Sequence, residues 1–66
     1  METQTLSGLL REAEEHHGPY EAEAPKHHWS GFYAAYVVAR EGGRSPDEAD
    51  AEARRYMAEV EHVVVP

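Results

Sequence analysis

Apolar residues gather in three stretches of the chain, each with the 3.6-residue period of a helix and each closed by glycine or proline. In the first, Leu6, Leu9, Leu10, Ala13 and His17 share one face at i, i+3, i+4, i+7 and i+11. This spacing predicts a helix over 5–17, capped by Thr3 or Thr5 and stopped at Gly18-Pro19. Acids near its end oppose the helix dipole, so the last turn is expected to fray. The stretch 18–26, with Pro19 and Pro25, reads as a linker.

The second stretch predicts a helix over 27–41 with two apolar sides. Trp29, Phe32, Tyr33, Tyr36 and Val37 form a wide aromatic stripe, and Gly31, Ala34, Ala35 and Val38 form a stripe of small residues nearly opposite. A helix apolar on two sides is expected to lie between two partners. Arg40 falls on the aromatic side near the end, where its charge meets the dipole favourably, and Gly42-Gly43 stops the helix. In the third stretch, Ser45-Pro46-Asp47-Glu48 has the form of a capping box with proline at the first helical position. Ala49, Ala53, Tyr56, Met57 and Val60 then mark one buried face of a helix over 46–62. Val63-Val64-Val65 loses the period and reads as an extended, packed tail. The fold class expected for 1–66 is all-α: one small three-helix domain with an aromatic-rich central helix.

Composition makes that core thin. The chain has 66 residues, with ten alanines, three leucines and no isoleucine, and a domain this small buries only about 60% of its unfolded surface. The bulky residues available for a core or an interface are therefore Trp29, Phe32, Tyr33, Tyr36, Val37, Tyr56, Met57 and Val60. Trp29 is expected in the core. A homodimer is the common remedy for so thin a core, formed through the aromatic stripe or through Gly31, Ala35 and Val38.

Thirteen acids against six bases leave a net charge of −7, which argues against nucleic acid and anionic membranes as partners. No cysteine is present to staple the fold, bind zinc or attack a substrate. With no apolar run of membrane-spanning length and no signal-like N-terminus, a cytoplasmic setting is expected.

Five histidines stand out: His16, His17, His27, His28 and His62. Glu14-x-x-His17 and Glu59-x-x-His62 copy a ligand spacing of di-iron bundles. One chain lacks the four inward-facing helices such a centre needs, and His62 falls far from the apolar face of its helix. No metal is expected, and if any binds, His17, His27 and His28 come first. Among the serines, Ser30 lies three residues from His27 and within reach of it, but no third group orients a base and no strained turn exposes a nucleophile. No catalytic residue and no cofactor are expected. The function read from these residues is a non-enzymatic helical module that docks on itself or on a larger protein partner, such as an enzyme or a regulator. The alternative is a small-ligand or metal-binding protein using the histidine- and aromatic-rich region 16–36.

The runs His28-Trp29-Ser30-Gly31-Phe32-Tyr33-Ala34-Ala35-Tyr36, Ala39-Arg40-Glu41, Ser45-Pro46-Asp47-Glu48-Ala49 and Arg55-Tyr56-Met57 carry a resemblance covering about 9–64. The chain resembles a short helical segment found after the metal-binding domain in some bacterial glyoxalase/bleomycin-resistance-type proteins. The resemblance implies an accessory helical module. That family's metal ligands lie on βαβββ units, so it transfers no ligand or catalytic residue to any position here.

Overall fold

A computed structural model describes all 66 residues. Three helices, α1 (Thr3–Glu23), α2 (Ser30–Glu41) and α3 (Pro46–Glu59), take up 71% of the chain, and there is no strand. α2 makes its broadest contact with α3 and a narrower one with α1, while α1 and α3 barely meet. The molecule is compact but elongated, 35 × 17 × 17 Å. Its long dimension matches α1, whose 21 residues span about 31 Å at 1.5 Å each.

α1 corrects the expected boundaries. Instead of stopping at Gly18-Pro19 and yielding to a linker over 18–26, it continues through Pro19 to Glu23, and Ala24 still donates its N–H to the Tyr20 carbonyl at 3.0 Å. Proline removes one helical hydrogen bond and crowds the carbonyl four residues back. Two features offset this: Gly18 brings no Cβ against the proline ring, and continuation carries Tyr20 into the core at 1% exposure. The threonine caps are also absent, since Glu2 occupies the capping position and Thr3 and Thr5 lie inside the helix. The apolar face is shifted too. Leu6 and Leu10 are exposed, Leu9 is half-buried, and full burial begins at Ala13.

α2 starts at Ser30, three residues later than the spacing predicts. The ring of His28 supplies its cap, with Nδ1 accepting the Ser30 N–H at 3.2 Å and standing 2.9 Å from the Ser30 hydroxyl. Ser30 is thus bonded to His28 and not to His27. At the far end Gly43 adopts φ 93°, open to glycine at little cost, and lets Arg44 N–H reach the Ala39 carbonyl at 3.0 Å. The capping box of α3 is present as the sequence predicts: Ser45 Oγ accepts from Glu48 N–H at 3.2 Å, and Glu48 accepts from Ser45 N–H at 2.9 Å. α3 ends at Glu59, short of the predicted 62. His62 turns into the left-handed region (φ 57°), and Val63 N–H closes on the Met57 carbonyl at 2.9 Å.

The core is built from Tyr20, Phe32, Tyr36 and Met57, with Ala13, Ala39, Ala49 and Ala53 packed between them. Small residues allow α2 and α3 to approach closely. A Cβ added at Gly31 would stand 3.2 Å from Met57 Sδ, tighter than an undistorted contact. Trp29 corrects the expected core: it is 53% exposed and lies outside this cluster. It precedes the first turn of α2, where the helix has not yet carried side chains against α3.

Candidate functional site

Three features combine into the surface on which a function can rest: an apolar groove, a polar seam and a histidine–aromatic cluster. The groove, of about 450 Å³, runs between α2 and α3 and is walled by Ala34, Ala35, Val38 and Ala39 on one side and Tyr56 and Val60 on the other. Val38 on α2 is 69% and Val60, just past the end of α3, 55% exposed, a large apolar exposure within one groove. Glu52, Arg55 and Glu59 rim it, with Arg55 3.6 Å from Glu52. The small-residue stripe singled out in the sequence therefore splits. Ala35 is half-buried against α3, while Ala34 and Val38 face out.

The polar seam ties α1 to its neighbours. Glu12 accepts from the Tyr36 hydroxyl at 2.5 Å and from Arg40 Nε at 2.7 Å, and Arg40 also donates to the Arg44 carbonyl at 2.8 Å. The hydrogen bond from Tyr36, followed by that from Arg40, holds the Glu12 carboxyl below its usual range. Burial first, and then Glu12, pushes the Tyr36 phenol upward. On the other side His16 Nδ1 meets Asp50 at 3.1 Å while its ring packs 5.0 Å from that of Tyr36. Arg54 holds Asp50 at 2.9 Å and lies over the Tyr20 ring. Nothing in the spacing of these charged residues distinguishes them from a solvated face, and only the α1 crossing brings them together.

The histidine–aromatic cluster centres on His17, 5% exposed on α1. Its ring lies edge-on to Phe32 at 5.2 Å and to Tyr33 at 5.3 Å. Burial holds the imidazole below its ordinary range against the opposing pull of Glu21. From the 24–29 connection, His27 brings its Nε2 to 3.0 Å from that of His17. His27 Nδ1 donates to the Pro25 carbonyl at 2.7 Å. A carbonyl only accepts, so in the neutral ring the proton sits on Nδ1 and Nε2 keeps its lone pair for the His17 N–H.

Of the three histidines ranked first as ligands, the structure joins His17 to His27 and turns His28 away to cap α2 and stack on Trp29 at 5.2 Å. His62 lies beyond the end of α3, so Glu59-x-x-His62 is not a helical pair. No group of three or more histidine, aspartate or glutamate side chains is disposed to hold a metal ion. Of the residues marked for core or interface, Phe32, Tyr36, Val37 and Met57 are buried, and Gly31, Tyr33, Ala35 and Tyr56 are half-buried. Trp29, Val38 and Val60 are exposed. Tyr20, fully buried in the core, lies in the stretch expected to be a linker. No helix is long and apolar enough to cross a membrane. Comparison with protein-family models, curated proteins and solved structures finds no match to this chain.

Proposed function

We propose that this chain is a non-enzymatic helical module that pairs with a second copy of itself through the α2–α3 groove. The observation that carries the reading is the exposure of Val38 and Val60 on facing walls of that groove. Leaving such a surface in water forfeits about 25 cal/mol for each Å² that a partner would cover. The rim favours a like partner because it carries both signs. A two-fold pairing that sets Arg55 of one copy against Glu52 or Glu59 of the other uses both signs. A standard interface hides about 800 Å² per subunit, less than a fifth of the 4447 Å² surface. In this reading α2 is the central, aromatic-rich helix: its aromatic side holds the fold, and Ala34 and Val38 of its small-residue stripe meet the mate.

The paired module serves as an accessory to a larger enzyme or regulator in the cytoplasm. Sedimentation equilibrium across micromolar concentrations tests the pairing. A dimer is expected, and Val38→Glu should convert it into a folded monomer. A wild-type chain that stays monomeric with full helicity at hundreds of micromolar would overturn the reading.

A further inference from the structure

We propose that His17 and His27 form a two-imidazole chelate for a divalent first-row cation such as Zn²⁺, Ni²⁺ or Cu²⁺, with water completing the coordination. The site is independent of the α2–α3 groove and shares no residue with it. Two imidazoles bound at about 2.0–2.1 Å and at angles between square and tetrahedral have their nitrogens about 2.9–3.4 Å apart. The two Nε2 atoms already stand 3.0 Å apart, with ring centroids separated by 5.2 Å. Metal binding turns the two rings out of their mutual hydrogen bond so that both lone pairs face one cation.

Three further observations support the assignment. His27 donates its Nδ1–H to the Pro25 carbonyl at 2.7 Å, the outer contact that metal-ligating histidines habitually make to fix the tautomer and aim the free nitrogen. His17 packs against Phe32 and Tyr33, which keeps its ring beside His27 in the absence of metal. Glu21, one turn further along α1, places negative charge near His17, on a chain whose net charge of −7 draws cations. Metal entry balances simply. His17 shifts its proton from Nε2 to Nδ1, the hydrogen bond between the rings is replaced by two bonds to the cation, and two neutral rings release no net proton. With only two protein ligands the site is open and weaker than a closed structural zinc site. The hydrogen bond between the rings assembles it without metal, so folding does not depend on the ion.

The test is a calorimetric titration of the full, chelator-stripped chain with zinc chloride, paired with NMR of the histidine rings. One zinc per chain should bind, moving the ring signals of His17 and His27 and leaving those of His16, His28 and His62 in place. His27→Gln keeps an acceptor for the His17 N–H, so circular dichroism should report an intact fold while zinc binding weakens by at least about tenfold. His28→Asn and His62→Asn should bind zinc as the wild type does. The assignment is overturned by a wild type with no heat and no ring shift at about 1 mM zinc. It is also overturned if His27→Gln binds undiminished, or if the responding rings are those of His28 or His62.

Discussion

The Tyr36 hydroxyl donates a 2.5 Å hydrogen bond to Glu12, joining α2 to α1 across 24 residues of sequence. Tyr36 is fully buried, so this one acceptor decides whether its hydroxyl is paired or orphaned. Tyr36→Phe should cost about 1 kcal/mol in urea unfolding, while Glu12→Ala should cost about 2 kcal/mol because it leaves a buried donor without a partner. A double-mutant cycle should show coupling of about 1 kcal/mol. Additive losses would mean that the two groups do not act as a pair.

The same contact sets an acid limb. Glu12 has its pKa lowered from the ordinary 4.5, first by Tyr36 and then by Arg40. Below pH 4.5 the unfolded chain takes up a proton that the folded chain resists, so this part of the stability is whole above that pH and lost as pH falls through the folded value. Thermal melts from pH 6 to pH 3 should show the decline, flattened in Glu12→Gln. Glu48, lowered by its bonds to Ser45, and His17, lowered by burial, add to the slope that remains. An identical decline in Glu12→Gln would remove Glu12 from the account.

Trp29 and Phe32 sit three residues apart yet differ in environment. Phe32 is fully buried and Trp29 is half out in solvent, its ring edge-on to Tyr33 at 5.0 Å. Phe32→Ala should therefore cost about 3–5 kcal/mol, enough to unfold a domain of this size, and Trp29→Ala about 1 kcal/mol. Circular dichroism melts rank the two, and the reverse order would place the core on the other side of α2.

The Tyr20 hydroxyl is buried without a hydrogen-bond partner. Removing an unsatisfied polar atom while keeping the ring stacked 5.0 Å from Phe32 should raise stability. Tyr20→Phe is expected to gain about 1 kcal/mol, read as a higher urea midpoint. A loss of similar size would show a bonded hydroxyl.

Two left-handed residues give opposite expectations. His62 bears φ 57° with a side chain, whereas Gly43 bears φ 93° without one. His62→Gly should add about 0.5 kcal/mol and Gly43→Ala should remove about 1 kcal/mol. Equal effects of one sign in paired melts would separate both positions from backbone strain.

Local signals were legible wherever the chain answers to itself. Ser45 and Glu48 satisfy each other within four residues, so the start of α3 could be read directly, as could the stop at Gly42-Gly43 and the apolar period through Ala49, Ala53 and Met57. The all-α class follows from these alone. Long-range packing settled the rest. Pro19 is a breaker by its own chemistry, yet burial of Tyr20 against Phe32 outweighs the lost hydrogen bond and carries α1 onward. Trp29 has the size and spacing of a core residue, but the chain has not entered α2 when it reaches that position, so only His28 and Tyr33 pack on its ring and half of it stays in solvent. Glu12, Tyr36 and Arg40 lie on two separate helical patterns, and so do His17 and His27 across a connection. Whether such residues meet depends on the angle at which α1 crosses α2, and no spacing within either segment encodes it.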